Sequence, residues 1–215
     1  MNYDRVFVIG DIHGCLDMLN RLMDKIPWRP DNDLLIFLGD YIDRGENSKK
    51  VVDYIIALTR FSLYVKCLLG NHDAMFLDYL HNKNVDQYLL NGGGSTLKSY
   101  GIDHPEEGQS LIPQDHFDFF KTLKSYIDLE DYYIVHAGFR PGIEISKQKL
   151  KDMLWIRDTF INSHYDFGKK VIFGHTPLME PLVSKNKIGL DTSAVFGNRL
   201  TCLELPKEKF YSVAQ

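Results

Sequence analysis

The sequence has little of what marks several common classes of protein. Its 215 residues include only three cysteines, Cys15, Cys67 and Cys202, with no Cys-x-x-Cys spacing. This odd set argues against a disulfide framework and against a cysteine-based structural zinc site. No apolar run approaches the length that crosses a bilayer, so we expect no membrane partner. Because the chain opens directly into a predicted strand and its cysteines suit a reducing environment, we expect it to be cytoplasmic.

The chain also lacks a strong positive charge. Its formal net charge is −4 and its isoelectric point lies near 6.0. Lysine and arginine do not cluster in the sequence, so a nucleic acid polymer is not an expected partner. An anionic ligand would therefore have to be held by a few locally placed cationic groups. The oligomeric state is not indicated by any pattern in the sequence.

Apolar residues are plentiful enough for a sizeable core. They make up 44% of the chain, and the length fits a single domain over residues 1–215. Apolar strands at 6–9, 34–38 and 64–69 alternate with helical patterns at 16–26 and 48–58. A β-α-β-α-β order predicts parallel strands whose carboxyl ends lie along one edge of a sheet.

The remaining segments are less regular. Residues 74–131, called the insert below, are richer in polar residues and contain the glycine run Asn91-Gly92-Gly93-Gly94-Ser95. We expect the insert to form a cap over the site, with the glycine run as a mobile edge; a plain surface linker is the alternative. Short strands are predicted at 187–190, 200–205 and 209–213, where they suggest a second sheet with antiparallel character.

Five apolar segments each run into a turn that contains glycine and a residue able to bind a metal. The turns, called the strand-end turns below, are Gly10-Asp11-Ile12-His13-Gly14, Gly39-Asp40-Tyr41-Ile42-Asp43-Arg44-Gly45, Gly70-Asn71-His72-Asp73, His136-Ala137-Gly138 and Gly174-His175-Thr176-Pro177. One or two such turns can arise by chance, but five with the same pattern of apolar segment, glycine and potential metal ligand predict one shared site.

Aspartate, histidine and asparagine suit Mn²⁺, Fe or Zn²⁺ as ligands. Asp40 is placed to bridge two ions about 3.5–4 Å apart, as in two-metal hydrolases. Two divalent ions outweigh the charges of Asp11, Asp40 and a bridging hydroxide, so the site would attract phosphate. Arg44 and Arg157 can each fork two phosphate oxygens.

His72 follows Asn71 directly and therefore points in a different direction from that ligand candidate. A carboxylate partner raises the pKa of a histidine and orients its ring, and Asp43 is the candidate partner. The pair is a natural general acid for a leaving oxygen. A purely structural histidine is the alternative interpretation.

These motifs together resemble the metallophosphoesterase superfamily and, within it, the phosphoprotein phosphatase family of serine/threonine phosphatases. The short length and Leu154-Trp155-Ile156-Arg157 resemble its bacterial and bacteriophage members. The resemblance implies an α/β fold, a four-layer α/β/β/α sandwich of two mixed sheets. It also implies a dinuclear metal site, most often studied with manganese.

The resemblance further implies a role for each motif position. The implied metal ligands are Asp11, His13 and Asp40 for the first ion, and Asp40, Asn71, His136 and His175 for the second. Arg44 and Arg157 would bind the phosphate beside Asn71, and His72 with Asp43 would form the acid dyad. The implied mechanism is in-line attack by a metal-bridging hydroxide without a phosphoenzyme.

We therefore predict a metal-dependent phosphomonoesterase that acts on phosphoserine and phosphothreonine in proteins, with phosphotyrosine as a further substrate. The alternative is a hydrolase of dinucleoside polyphosphates such as diadenosine tetraphosphate. Asp73 favours the alternative, because the protein phosphatases usually have glutamate there, and so does the closing stretch 190–203. The presence of both Asp43 and Arg44 argues against it, since the symmetrically cleaving hydrolases lack the dyad aspartate.

The nucleotide alternative requires a pocket for a nucleoside, and Tyr79, Tyr88 and Tyr100 of the insert are available to stack on a base. A third hypothesis is a catalytically silent scaffold that keeps only the fold. Asp191 is expected to be a turn residue, although a supporting place near the metals is the alternative.

Overall fold

The computed structural model describes residues 3–106 and 108–215, and within them the chain forms two five-stranded sheets. The strands are β1 (Arg5–Ile9), β2 (Asp33–Phe37), β3 (Val65–Cys67), β4 (Tyr126–Asp128), β5 (Tyr132–Val135), β6 (Lys170–Phe173), β7 (Leu182–Val183), β8 (Lys187–Gly189), β9 (Arg199–Leu205) and β10 (Lys209–Ala214). The strand order is β10-β9-β1-β2-β3 in the first sheet and β4-β5-β6-β8-β7 in the second.

Helices connect these strands and cover the sheets. The α-helices are α1 (Leu16–Lys25), α2 (Ser48–Phe61), α3 (Asn71–Leu80), α4 (Val85–Tyr88), α5 (Gly94–Ser99), α6 (Gln114–Thr122), α7 (Leu150–Trp155) and α8 (Asp158–Ile161). A π-helical turn, Leu89–Gly93, joins α4 to α5, and 3₁₀ turns lie at Gly108–Leu111, Ile145–Lys147 and Ala194–Phe196. Among the described residues, none of the helices is long and apolar enough to cross a bilayer.

Both sheets are mixed, which confirms the predicted fold class. The pairs β1–β2 and β2–β3 are parallel, as are β5–β6 and β6–β8, whereas β9, β10, β4 and β7 pair antiparallel to their neighbours. The predicted β-α-β-α-β unit therefore supplies three adjacent strands of the first sheet, from β1 in the middle to β3 at the edge. Parallel strands carry their polar turns at one edge, so this unit decides where the site lies.

The prediction for the closing strands was wrong in part. Only β8 joins the second sheet; β9 pairs with β1, and β10 pairs with β9, in the first. The physical reason is burial, because every residue of β9 from Leu200 to Leu205 is buried. A strand that is covered on both faces belongs inside a sheet and not at an exposed edge.

The layers follow from the alternation of side chains along the strands. Val6 and Val8 of β1 pack between the sheets against Ile172 of β6. Phe7 and Ile9 point the other way, into the core that α1 and α2 cover. A third apolar cluster, which includes Phe139 and Phe173, lies on the far side of the second sheet. The sheets thus have an apolar layer between them and one on each outer face.

The insert brings its own group of aromatic rings to this core. Phe76 of α3 lies 5.0 Å from Phe120 of α6 and 5.8 Å from Tyr88 of α4, measured between ring centroids. These rings belong to the same apolar cluster as the helix-covered face of the first sheet. The assignment of one domain with a cap remains a prediction.

Candidate active site

The strand-end turns hold an unusual backbone. Five non-glycine residues in them have positive φ angles between 46° and 72°, namely His13, Asp40, Asp43, Arg44 and His175. Each such residue costs free energy, and they concentrate at functional sites where the surrounding fold fixes them. A Cβ on Gly70 would strike Oδ1 of Asp40, and one on Gly174 would strike Oδ1 of Asp11. Glycine at these two positions therefore lets the carboxylates approach the turns.

Two groups of potential metal ligands meet at Asp40. Ligand atoms of His13, Asp40 and His72 lie within 4.8 Å of one another, and so do those of Asp40, His136 and His175. All five residues are buried. Four of the predicted ligands, His13, Asp40, His136 and His175, are thus brought together. The first group also contains His72, which the sequence assigns to proton transfer.

Hydrogen bonds from the histidine rings determine which nitrogen faces the site. Nδ1 of His13 lies 2.7 Å from the carbonyl oxygen of Ile42, and Nδ1 of His136 lies 2.9 Å from that of Leu38. A carbonyl oxygen only accepts, so each Nδ1 carries the hydrogen and each neutral ring presents a lone pair at Nε2. In this tautomer the ring can bind a metal through Nε2.

The environment of Asn71 supports a cation at this place. Its Oδ1 lies 2.9 Å from Nε2 of His136 and 2.8 Å from Nδ1 of His175. With Nδ1 of His136 donating to Leu38, the Nε2 lone pair of His136 faces the oxygen lone pairs of Asn71. A shared cation would turn this repulsive arrangement into a coordinating one.

Asp11 provides a second sign that the residues present suit a metal. Its Oδ2 accepts a hydrogen bond from the backbone nitrogen of His175 at 2.9 Å. Its Oδ1 is one of three buried side-chain atoms, within residues 3–106 and 108–215, that have no hydrogen-bond partner. A buried carboxylate oxygen without a partner costs free energy, which a cation would offset. The donor set of carboxylate, imidazole and amide oxygen suits a divalent ion.

Burial shapes the protonation of the site. It lowers the pKa of His13 to about 3 and that of His175 to about 3, so both rings are neutral at neutral pH. Burial also raises the pKa of Asp11 well above its usual range, with added repulsion from Asp191 and Asp40. Bound cations would reverse that repulsion and keep the carboxylates ionised.

The predicted acid dyad is assembled in the structure. Nδ1 of His72 lies 2.7 Å from Oδ2 of Asp43, and both side chains are buried. The backbone nitrogen of His72 donates to Oδ1 of Asp40 at 2.9 Å, which ties the start of α3 to the β2 turn. Because Nδ1 is engaged by Asp43, Nε2 is the nitrogen of His72 that is free to serve the site.

Both predicted phosphate-binding arginines lie against histidines that are predicted metal ligands. Nη1 of Arg44 is 2.7 Å from Nε2 of His13, and Nε of Arg157 donates to Nε2 of His175 at 3.1 Å. Both arginine residues are exposed, so their guanidinium groups lie at the solvent side of the buried ligands. They are placed to meet an anion that enters from solvent.

Asp73 has a structural role that the sequence did not suggest. Its carboxylate accepts hydrogen bonds from the backbone nitrogens of Gly70 (2.8 Å), Asp40 (2.8 Å) and Tyr41 (3.2 Å). It therefore ties the β2 turn to the start of α3, and it is fully buried. Since all three partners belong to the backbone, the choice of aspartate over glutamate here carries no direct information on substrate.

The prediction that insert tyrosines are available to stack on a base was wrong. Tyr79 and Tyr88 are buried, with exposed fractions of 1% and 0%, and their rings stack on each other at 5.2 Å. Tyr100 packs on Phe76 and hydrogen-bonds to Nδ1 of His116 at 2.8 Å. Their aromatic surface is used inside the insert.

Two hydroxyl groups of the insert contact Asp43, which the sequence did not suggest. Tyr88 and Thr96 of the insert each donate a hydrogen bond to Oδ1 of Asp43. Asp191 makes a turn contact, accepting from the backbone nitrogen of Ser193 at 3.0 Å, as expected. It is also buried near Asp40, and burial raises the pKa of Asp191 to about 6.

The glycine run between Tyr88 and Thr96 was the one signal in the sequence that could have pointed to these two residues.

Comparisons with known proteins agree with this geometry. The family model of the calcineurin-like phosphoesterases matches residues 4–198. A bis(5'-nucleosyl)-tetraphosphatase (asymmetrical) of Oceanobacillus iheyensis is 27% identical over an alignment of 236 positions, which covers 98% of this chain and 92% of that protein. Serine/threonine-protein phosphatase 1 of Salmonella typhimurium is 32% identical over 209 residues, 93% of this chain and 91% of the relative.

The fold has solved counterparts. A crystal structure assigned to a diadenosine tetraphosphatase superposes with a TM-score of 0.77 at 24% identity, covering 98% of this chain and 93% of that one. At this identity the likeness speaks for the fold alone.

Proposed function

Because this chain belongs to the family of calcineurin-like phosphoesterases, we propose that it hydrolyses dinucleoside polyphosphates such as diadenosine tetraphosphate. Family membership makes the chain a phosphoester hydrolase; the nucleotide substrate is the further step. The tetraphosphatase relative from Oceanobacillus supports that step, since it aligns over nearly the whole of both chains. The nucleotide substrate, which was the alternative on sequence grounds, is thus preferred to a phosphoprotein substrate.

Divalent metals belong to this chemistry. We propose that Asp11, His13 and Asp40 hold one ion and that Asp40, Asn71, His136 and His175 hold a second, with Mn²⁺ as the first candidate. When bound, such ions supply Lewis-acid polarisation of phosphoryl oxygens and a lowered pKa of water. The unpartnered oxygen of Asp11 and the facing lone pairs at Asn71 support this assignment.

The chain's own residues supply phosphate binding and a proton. Arg44 and Arg157 approach the ligand histidines from the solvent side, where they would bind the phosphate oxygens of an entering substrate. His72, held at Nδ1 by Asp43, would donate a proton from Nε2 to the oxygen of the leaving phosphate.

The observation that carries the nucleotide substrate is the presence of two exposed aromatic rings at the site, one beside Arg44 and one beside His175. Phe196 is 62% exposed, and its ring centroid lies 5.4 Å from the guanidinium carbon of Arg44. Trp155 is 38% exposed, and its centroid lies 5.9 Å from that of His175. Exposed aromatic rings provide flat surfaces for stacking a base at low entropic cost.

A cleft next to Arg44 offers room for the nucleoside. Its volume is about 400 Å³, and its walls come from the start of α1, the turn before α2 and the Ala194–Phe196 turn. This falls in the range of small-molecule sites. Its lining includes Arg44, whose charge suits a polyphosphate, and Asn47, which can hydrogen-bond to a ribose. The charge of Arg21 in the same lining is paired with Asp17 at 2.8 Å.

A protein phosphatase is the second candidate. The Salmonella protein phosphatase has the higher identity of the two relatives, 32% against 27%. The complete Asp43–His72 dyad also favours it, because the symmetrically cleaving dinucleoside polyphosphate hydrolases lack the dyad aspartate. The two candidates share the site and differ in what lies around it.

The decisive experiment compares the two substrates in one manganese-loaded preparation, with an EDTA-treated sample as the control. We expect diadenosine tetraphosphate to be cleaved faster than a phosphoserine peptide, and chromatography of the products distinguishes ATP plus AMP from two ADP. Faster phosphate release from the peptide would overturn the nucleotide proposal and establish the second candidate.

A matched pair of variants tests the aromatic ring at Arg44. Phe196→Ala should raise KM for diadenosine tetraphosphate by about tenfold, as stacking is worth roughly 1–3 kcal/mol per base, and leave KM for 4-nitrophenyl phosphate unchanged. Phe61→Ala removes another exposed ring, 70% exposed at the end of α2, and should change neither. An equal effect of Phe196→Ala on both substrates would remove its role in base binding.

A further inference from the structure

The acid dyad is completed by side chains from the insert. We propose that Tyr88 and Thr96 are positioning residues, whose hydroxyls fix the carboxylate of Asp43 and through it the ring of His72. This inference rests on the proposed role of His72 as the proton donor. It is independent of whether the substrate is a nucleotide or a phosphoprotein.

The two oxygens of Asp43 have separate partners. Oδ2 faces Nδ1 of His72 at 2.7 Å, while Oδ1 accepts from the hydroxyls of Tyr88 at 2.9 Å and Thr96 at 2.7 Å. The backbone nitrogen of Asp43 donates to Oγ1 of Thr96 at 2.8 Å and to Oγ of Ser48 at 3.1 Å. Rotation of the carboxylate would break bonds on both of its oxygens, so its plane is fixed.

Burial gives these contacts their importance. Asp43, Tyr88 and Thr96 are fully buried, and His72 is 2% exposed. Solvent is therefore in no position to replace a hydroxyl that a mutation removes. Burial and the charge of Asp43 raise the pKa of the Tyr88 phenol well above its usual range, so it remains a hydrogen-bond donor at every physiological pH.

The glycine run lies between the two residues whose hydroxyls contact Asp43. Tyr88 ends α4, Thr96 lies in α5, and the π-helical turn between them contains Gly92 and Gly93. A Cβ on Gly93 would lie 2.5 Å from Cε1 and Cζ of Tyr88, so a larger residue would displace the ring. The run that was expected to form a mobile edge packs closely against the tyrosine that holds Asp43.

The same turn also touches the phosphate-binding side of the site. The carbonyl oxygen of Gly92 accepts a hydrogen bond from the backbone nitrogen of Arg44 at 3.2 Å. Gly92 has φ +98°, and a Cβ there would lie 2.9 Å from Cγ of Arg44. One turn of the insert thus contacts Asp43 and Arg44, two neighbours in the chain with different proposed tasks.

A positioning role and a merely structural role predict different kinetics. If the hydroxyls only stabilise the fold, their loss should lower turnover of all substrates alike. If they orient the acid, their loss should matter only where the leaving oxygen needs a proton. Phenyl phosphate has such a leaving group, whereas 4-nitrophenyl phosphate, with its stabilised phenolate, needs little protonation.

The test uses Tyr88→Phe and Thr96→Val in the full-length, metal-loaded protein. Each variant should lower kcat for phenyl phosphate by about tenfold, the scale expected for a slightly misplaced catalytic group, with less than a twofold change for 4-nitrophenyl phosphate. KM should stay the same for both. Thr96→Ser keeps the hydroxyl and should restore the rate. Tyr79→Phe, which alters the ring stacked on Tyr88 but not the dyad, should behave like the unchanged protein.

A second measurement reads the dyad without turnover. The imidazole ¹⁵N–¹H resonance of Nδ1 in His72 reports its hydrogen bond to Asp43, and it should shift in Tyr88→Phe and Thr96→Val but not in Tyr79→Phe. Unchanged resonances, or an equal loss of activity on both aryl phosphates, would overturn the inference.

Failure of the proposed function would look different. A protein that cleaves only phosphopeptides would keep the dependence on the leaving group. If His72→Asn lowered kcat equally for phenyl phosphate and 4-nitrophenyl phosphate, the proposed role of His72 as the proton donor would be wrong. That result would not depend on which residues hold Asp43.

Discussion

The strand-end turns and the insert contribute to the candidate site in opposite ways. The turns carry the candidate metal ligands on a backbone with positive φ at five non-glycine positions. The insert is helical where it meets the site, and its described residues supply none of the grouped ligands. It supplies two hydroxyls and a carbonyl oxygen instead. The comparison suggests that the turns create the metal chemistry and the insert aligns the group that completes it.

The largest expected effect on turnover comes from substituting Asp40, the residue common to both groups of candidate ligands. We expect Asp40→Asn to lower kcat by more than about 10⁴-fold, because the amide brings neither the charge nor the second anionic oxygen that two cations would share. Bound metal should fall as well, measured by mass spectrometry after gel filtration. Asp103→Asn, at an exposed carboxylate in the insert, is the control. Full metal content with unchanged turnover would refute the ligand assignment.

The next effect separates metal binding from proton transfer. His72→Asn should lower kcat by about 10²–10⁴-fold while metal content stays the same, because the ring's Nδ1 is committed to Asp43 and its loss removes an acid and not a ligand. Loss of metal in this variant would instead assign His72 to the first ligand group, where its position near His13 and Asp40 would permit it.

The position of the turns was largely predictable, because their candidate ligands follow buried strands within a few residues. Strand burial and right-handed crossover order are enough to bring Asp11, Asp40 and Asn71 to one edge. The sheet to which β9 and β10 belong was not predictable, because an apolar run indicates a strand but does not indicate the strand with which it pairs. Residues Leu200–Leu205 are all buried, but Thr201 and Glu204 interrupt the apolar pattern of this segment in the sequence.

The contribution of the insert could not be derived from local pattern. Tyr88 and Thr96 lie 45 and 53 positions after Asp43, and no periodicity connects them. The tyrosines were identified as aromatic surface, whereas packing against Phe76 buries that surface and leaves the hydroxyl of Tyr88 as the useful group. Asp73 was interpreted as a mark of substrate class, while its hydrogen bonds go to the backbone. Tertiary contacts decide each of these cases.

The smallest predicted effect concerns how each region responds to acid. In the insert, the buried ring of His116 bonds through Nδ1 to the hydroxyl of Tyr100 and through Nε2 to Asp53, both at 2.8 Å. Burial lowers the pKa of His116, although Asp53 and Asp115 oppose the shift and Lys49 adds to it. A folded-state pKa below the unfolded value of about 6.5 means that the unfolded chain takes up the proton more readily. This stabilising contribution is complete above that pH and is lost as the pH falls below it.

The first sheet contains a buried ion-paired aspartate, Asp33, whose stabilising contribution persists to a lower pH. Asp33 at the start of β2 accepts hydrogen bonds from Arg29 and Arg5. Burial raises its pKa, but the bonds from the two arginines outweigh burial and hold the pKa below its usual range. Its contribution is therefore present above about pH 3.9, the usual unfolded-state value, and is lost only as the pH falls below that.

Between pH 7 and pH 5, then, the insert should lose protection before the first sheet does. Hydrogen exchange followed by mass spectrometry should show faster exchange in α5 and α6 at the lower pH, after correction for intrinsic rates, with little change in β1 and β2. His116→Gln can still bond to Tyr100 and Asp53 but does not titrate, so it should remove most of this pH dependence. His164→Gln alters an exposed histidine outside the insert and should leave it intact. The same pH dependence in His116→Gln and the unchanged protein would show that the insert is not held by this neutral ring.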